Sequence, residues 1–128
     1  MGLTKRPRSI VFVGRLVAQK NVESLIDAMQ GFDSELTIVG DGPLRADLER
    51  RAAGLRVTFA GVVPNENLPG LLNRHELFVL PSRYEGMPKV LLEAMACGLA
   101  CVATDIPGNR DLIVDGESGL LCAPDGLG

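Results

Sequence analysis

A single histidine, His75, and three cysteines with no Cys-x-x-Cys pair among them leave this sequence without the ligand clusters of a metal centre. Cys97, Cys101 and Cys122 leave an odd thiol whatever the pairing, which fits a reducing, cytoplasmic setting better than a disulfide scaffold. Positive charge is also short. Thirteen Lys and Arg against 16 Asp and Glu give a net charge of −3, so no global field exists to hold a nucleic-acid backbone or an anionic membrane. Any anionic ligand has to be met locally. Long apolar runs are missing as well: the uncharged stretch from Ala94 to Thr104 is broken by Gly98 and falls short of the roughly 18 apolar residues of a spanning helix. The basic start, Met-Gly-Leu-Thr-Lys-Arg-Pro-Arg, has no apolar segment behind it, and Arg6 stands where a myristoylation signal calls for Ser or Thr.

What is present is an ordinary globular balance, 46% hydrophobic and 23% charged over 128 residues, enough for one domain over 1–128 with one core. Short β-branched runs alternate with stretches of helical spacing from residue 8 to residue 122. Ser9–Val13, Leu36–Val39, Arg56–Ala60, Leu77–Leu80, Cys101–Ala103 and Leu120–Cys122 read as strands, several of them stopped by glycine or proline. Between them, Asn21 caps a helix carrying Val22, Leu25, Ile26 and Met29 on one stripe, and Pro43 opens a second with Leu44, Leu48 and Ala52 inward. A weaker helix spans about Glu66 to Arg74, with Pro69 in its first turn. Another spans about Pro88 to Ala96, with Pro88 at its first position, and a short one Asn109 to Val114. This order predicts an α/β, Rossmann-like, three-layer α/β/α domain with a parallel sheet of about six strands. In such a sheet the ligand lies outside the carboxyl ends of the strands. The chain stops at Asp125-Gly-Leu-Gly128, directly after a strand where a further helix is expected, as in a domain cut from a longer chain.

The loops at those strand ends exclude two common nucleotide sites. Gly14-Arg15-Leu16-Val17 does not supply Gly-x-Gly-x-x-Gly, and Gly40-Asp41-Gly42 places Arg45 where the third glycine belongs; no Gly-x-x-x-x-Gly-Lys-Ser/Thr occurs. Instead Arg15 and Lys20 stand at one mouth, a forked guanidinium and a point-charge ammonium suited to a diphosphate; as solvated loop cations they would need no ligand. The sharper feature is Tyr84-Glu-Gly-Met-Pro-Lys-Val-Leu-Leu-Glu-Ala-Met-Ala-Cys-Gly98. Glu85 lies in a loop, and Glu93 lies inside an apolar helical run, where a buried carboxylate needs a compensating partner. Helical side chains lean toward the N-terminus, so Glu93 can reach toward the Glu85 loop and the free N–H groups of the helix start. A surface pair with Lys89 and a glycosidase-like carboxylate dyad are the alternatives. Asp105-Ile-Pro-Gly-Asn-Arg-Asp111 lies at a strand's carboxyl end, where it can line the cleft, but reads more simply as a turn and helix cap; His75 reads as structural or exposed, and Cys97 and Cys101 as small buried hydrophobes.

Gly14-Arg-Leu with Lys20, Ile38-Val-Gly-Asp-Gly-Pro43, Phe59-Ala-Gly61, Pro81-Ser-Arg-Tyr-Glu-Gly86 and Leu91-Leu-Glu-Ala-Met-Ala-Cys-Gly98, in this order over about residues 8–125, resemble the donor-binding, C-terminal domain of GT-B retaining glycosyltransferases of the Glu-x7-Glu type. The resemblance implies a hexosyl- or N-acetylhexosaminyl-type transferase domain that binds a UDP- or GDP-sugar and needs neither metal nor further cofactor. It implies that Arg15 and Lys20 hold the diphosphate and neutralise the leaving group. It also implies that Glu85, with the backbone of Gly86 and Met87, meets the transferred sugar, that Glu93 meets the ribose hydroxyls, and that Gly61, Val62 and Val63 meet the base. The acceptor, a sugar or a lipid-linked glycan, is then held by a preceding domain. The implied partners include no nucleic acid and no integral membrane segment, and the implied location is the cytoplasm or, for the full-length enzyme, the inner face of the membrane. Two departures are visible: Gly86-Met-Pro-Lys89 stands where many members have Gly-Phe-Gly, and Ala100 replaces a proline usual after Cys-Gly-Leu. A nucleotide-sugar epimerase on the same fold and a non-catalytic nucleotide-binding module are the rival expectations.

Overall fold

Each apolar run stopped by glycine, proline or a turn forms a strand, and the helically spaced stretches between them form short helices: β1 (Ser9–Val13), α1 (Val22–Ala28), β2 (Glu35–Val39), α2 (Arg45–Arg51), β3 (Val57–Gly61), α3 (Leu68–Leu72), β4 (Leu77–Leu80), α4 (Lys89–Ala96), β5 (Ala100–Thr104), α5 (Pro107–Arg110) and β6 (Leu120–Cys122). The computed structural model describes residues 9–31, 33–114 and 116–122. The six strands pair in parallel throughout, in the order β3-β2-β1-β4-β5-β6. The order therefore reverses between β1 and β4, where Ile10 stands opposite Leu77 and Val11 opposite Phe78. A crevice opens at the carboxyl ends of the strands flanking such a reversal.

The core is built from both faces of the central strands. Val11, Phe12, Leu36, Ile38, Phe78, Leu80 and Ala103 are buried, as are the inward stripes Val22, Leu25, Ile26 and Met29 of the first helical stretch and Leu91 and Ala94 of α4. Each such large side chain contributes about 1.5–3 kcal/mol relative to exposure. α1 packs on α2, and α3 on α4; right-handed crossovers place these two pairs on opposite faces of the sheet. No helix among the described residues is long and apolar enough to cross a membrane.

Helix starts differ from the sequence expectation. α2 begins at Arg45 and α4 at Lys89, so Pro43 lies in the turn before α2 and Pro88 (φ −78, ψ 83) precedes the first helical residue of α4. α3 covers Leu68–Leu72, after a 3₁₀ turn at Asn65–Asn67, and α5 begins at Pro107 rather than Asn109. Pro107 and Pro69 lie in first turns, where the preset φ favours helix entry and the missing N–H removes no bond. Asn21 precedes α1 but does not cap it with its side chain. Its backbone is left-handed (φ 56), and its Oδ1 accepts from Ser24 Oγ at 2.9 Å and Arg83 Nη2 at 3.0 Å.

α1 and α2 are also joined by charge: Arg51 Nε and Nη2 donate to the two Asp27 oxygens, each at 2.7 Å. The hydrogen bond from Arg51 and its charge outweigh partial burial and hold the Asp27 carboxyl below its ordinary value. A carboxyl lowered in the folded state stabilises above its unfolded-state value, and that contribution disappears as pH falls through the folded one. Urea unfolding between about pH 6 and about pH 2 is therefore expected to show a steeper acid loss for the wild type than for Asp27→Asn. The difference is small because both side chains are about half exposed.

Candidate functional site

Three glycine-rich strand ends form the first half of the site. The Gly14 N–H donates to the Val39 carbonyl at 2.9 Å, the Gly40 N–H to Gly61 at 2.8 Å, and the Leu16 N–H to Asp41 at 3.0 Å. A register shift pairs Val39 with Gly61, which turns the end of β3 toward its neighbours. Gly40 has φ +134, and a Cβ there would stand 1.9 Å from the Gly14 carbonyl oxygen; a Cβ on Gly42 would stand 2.6 Å from that of Leu16. Only glycine lets these two loops run against each other. Between them opens a cleft of about 280 Å³, lined by Gly14 and Arg15 after β1, Gly40 and Asp41 after β2, and Val62 and Val63 after β3. The structure thus brings together Arg15, Val62 and Val63, with Gly61 (φ +75) adjoining. Arg45, which stands where the third glycine of a dinucleotide motif would be, also reaches this mouth: its Nη1 lies 3.7 Å from where a Cβ of Gly61 would be, and it bonds Asp41 at 3.4 Å.

The second half lies across the β1–β4 reversal. Lys20 ends a 3₁₀ turn at Ala18–Lys20, and its Nζ donates to Glu85 Oε2 at 2.6 Å; the Ser82 hydroxyl donates to the same oxygen at 2.5 Å. The Glu85 side chain is 7% exposed and that of Lys20 18%. A carboxylate so enclosed requires the paired charge and hydrogen bonds it receives. The two loops are stitched together: the Arg83 N–H donates to the Gln19 carbonyl at 2.8 Å, and Gln19 Nε2 to the Tyr84 carbonyl at 2.9 Å. The Lys20 arm lies against Gly14, its Cε 3.7 Å from where a Cβ of Gly14 would stand. The ammonium therefore lies between the Glu85 loop and the Arg15 cleft.

Glu85 is held from a third side by Ser82, Thr104 and Asn109, of which the sequence singled out only Asn109, as a turn and cap residue. Thr104 Oγ1 donates to the Ser82 carbonyl at 2.6 Å, and Asn109 Nδ2 donates to the Thr104 carbonyl at 3.0 Å. A Cβ on Gly108 would stand 2.6 Å from the Glu85 carbonyl oxygen, so the chain after β5 lies directly on the Glu85–Gly86 backbone. Ser82, Thr104 and Asn109 are all fully buried. The turn expected at Asp105–Asp111 is present, but Asn109 is a buried donor rather than a helix cap. The available sequence signal was a polar residue at the carboxyl end of each of two apolar strands.

Glu93 is not buried. It shares the exposed stripe of α4 with Lys89, Leu92 and Ala96, and no hydrogen bond or ion pair joins its carboxylate to another described residue. The surface pair with Lys89 is therefore absent, and nothing compensates or needs to compensate the charge. The short helix buries only Leu91 and Ala94 against the rest of the chain, so the Glu93 side is uncovered. A carboxylate dyad facing one closed cleft is not formed. The start of α4 also offers fewer free donors than expected, because the Lys89 N–H already donates to the Met87 carbonyl at 2.9 Å. Gly86 and Met87 are exposed in the loop that carries Glu85.

The remaining candidates are inert. His75 is 3% exposed, as a structural histidine is, and Cys97 is half-buried rather than enclosed. Burial pushes the Cys101 thiol up to about 11, and burial with the Asp105 charge raises that of Cys122, so both stay neutral and un-nucleophilic.

The comparisons agree with the fold. The profile of the family described as "Glycosyl transferases group 1" matches residues 7–127. The alpha-D-kanosaminyltransferase of Streptomyces kanamyceticus is 42% identical over 132 residues, covering 96% of this chain and 34% of that protein. Among solved structures, the lipopolysaccharide outer core galactosyltransferase WaaB superposes with a TM-score of 0.84 at 31% identity, covering 95% of this chain and 37% of that one. HepE of Anabaena in complex with UDP superposes with a TM-score of 0.85 at 27% identity, covering 94% and 36%. The chain spans about a third of the length of such relatives.

Proposed function

The chain belongs to the group 1 glycosyl transferases, with a GT-B-type Rossmann-like fold, and on that premise we propose that it is the donor-binding domain of a retaining enzyme that transfers a hexosyl or N-acetylhexosaminyl group from a UDP- or GDP-sugar. One observation carries this: Lys20 pairs with the enclosed Glu85 at the sheet's reversal point, alongside the Arg15 cleft. A cation pair beside an enclosed carboxylate suits a ligand that is anionic at one end and hydroxylated at the other. The UDP complex of HepE supports the same assignment.

In the proposed mechanism Arg15 and Lys20 hold the diphosphate. The bond from the anomeric carbon to the diphosphate oxygen breaks, a bond to an acceptor hydroxyl oxygen forms, and the hydroxyl proton passes to the departing diphosphate. Preorganised cations at the developing negative charge supply the main lowering of the barrier. Glu85 accepts from sugar hydroxyls, with the backbone of Gly86 and Met87 beside it, while the backbone at Gly61, Val62 and Val63 meets the base. Glu93, on the open side of α4, takes the ribose hydroxyls. The acceptor belongs on a part of the enzyme outside these 128 residues, the donor is the one small molecule required, and the enzyme works in the cytoplasm or at the inner membrane face.

Titration calorimetry with UDP, GDP and ADP is expected to show binding of at least one, and the isolated chain is expected to bind donor without transferring its sugar, since nothing orients a nucleophile. Binding of none of the three, or turnover by this chain alone, contradicts the proposal.

A further inference from the structure

We infer that Ser82, Thr104 and Asn109 form a hydrogen-bonded relay that positions the Glu85 carboxylate for the donor's sugar, so that sugar recognition depends on residues around β5 that do not touch the donor. This deepens the donor-site proposal and rests on it. Glu85 Oε2 receives both recorded donors, Lys20 and Ser82, which leaves Oε1 as the acceptor available to a ligand. The two donors differ in kind. A diphosphate drawn to Lys20 competes for its ammonium protons, whereas the neutral Ser82 hydroxyl is not drawn away. When the donor binds, Ser82 is therefore the contact that keeps the carboxylate oriented.

Ser82 is itself fixed from β5. Its carbonyl accepts from Thr104 Oγ1 at 2.6 Å, and Thr104 is clasped by Asn109 Nδ2, at 3.0 Å to its carbonyl and 3.3 Å to its hydroxyl. All three residues are fully buried, yet Asn109 Oδ1 has no hydrogen-bond partner among the described residues. A buried acceptor without a donor is a cost to folding. What the asparagine contributes here is the amide donation that locks Thr104.

The test compares each nucleoside diphosphate with its sugar conjugate, UDP with UDP-glucose and GDP with GDP-mannose, by calorimetry on the 128-residue chain. Ser82→Ala and Thr104→Val are expected to weaken the conjugate about tenfold, in line with one charge-assisted hydrogen bond lost, with little change for the diphosphate. Thr104→Ser, which keeps the hydroxyl, is expected to retain wild-type affinity for both. A purely structural role would weaken diphosphate and conjugate in parallel, and that result overturns the relay. So does unchanged conjugate binding, or a wild-type chain that binds diphosphate and conjugate equally. If Ser82→Ala fails to fold, Thr104→Val, with its branched shape kept, decides alone, and unfolding of both overturns the inference. A wild-type chain that binds no diphosphate instead removes the donor-site proposal beneath it.

Discussion

Gly40→Ala is expected to lose about 3 kcal/mol or more of stability, a large share of the roughly 5–15 kcal/mol that holds a domain folded. Two costs combine. The position has φ +134, which side-chain-bearing residues rarely adopt, and the added methyl would lie 1.9 Å from the Gly14 carbonyl oxygen. Relief requires β1 and β2 to part at their carboxyl ends, breaking the 2.9 Å bond from the Gly14 N–H to the Val39 carbonyl. Gly54→Ala separates the two costs, because Gly54 has φ +82 with nothing within 4 Å of an added Cβ. It should cost only about 1–2 kcal/mol, the conformational part. Gly70→Ala, inside α3 with open space around it, should gain about 0.5–1 kcal/mol. Urea midpoints of the three variants read the order directly. A Gly40→Ala chain as stable as Gly54→Ala would mean that the loops do not touch as described.

Arg15→Ala is expected to weaken binding of the preferred nucleoside diphosphate about tenfold or more, since a hydrogen bond to a charged group contributes about 1.5–3 kcal/mol. Arg15 lines the cleft and is exposed, so the fold should barely respond. Arg15→Lys keeps the charge but not the fork that grips two phosphate oxygens, and should fall between the wild type and alanine. Raising salt should narrow the differences, because the site is open to solvent. Calorimetry gives the affinities and a melt of each variant confirms the fold. Wild-type affinity in Arg15→Ala would make this residue an ordinary surface cation.

The strands were legible because each is a run of apolar residues cut off by a turn-forming residue, and β1, β4 and β6 coincide with their expected spans. Helix starts were less so. Proline marks the neighbourhood of a first turn without fixing its register, which is why Pro43 and Pro88 fall ahead of α2 and α4. The misplaced burial of Glu93 has a geometric origin. Residues adjacent in sequence on a helix point in different directions, and the apolar neighbours Leu91 and Ala94 turn inward while Lys89 and Ala96, on the Glu93 side, are exposed. The bond from Thr104 to Ser82 was hidden for another reason: it exists only because β4 and β5 are neighbours, which no local pattern states. The closeness of Lys20 and Glu85 was suggested by the family resemblance rather than by their spacing.

The 2.6 Å contact between Lys20 and Glu85 joins residues 65 positions apart, across a junction that forms only when two complete strand–helix units have been laid down between β1 and β4. Closing so long a loop is entropically slow and comes after local structure in the order of assembly. On the proposed donor site, a partly folded chain would therefore have no complete place for the ligand, and occupancy would report completion of the fold rather than the state of any one segment. By mass action the same ligand, at about 100 times its dissociation constant, would hold the finished fold together by about 2.7 kcal/mol more.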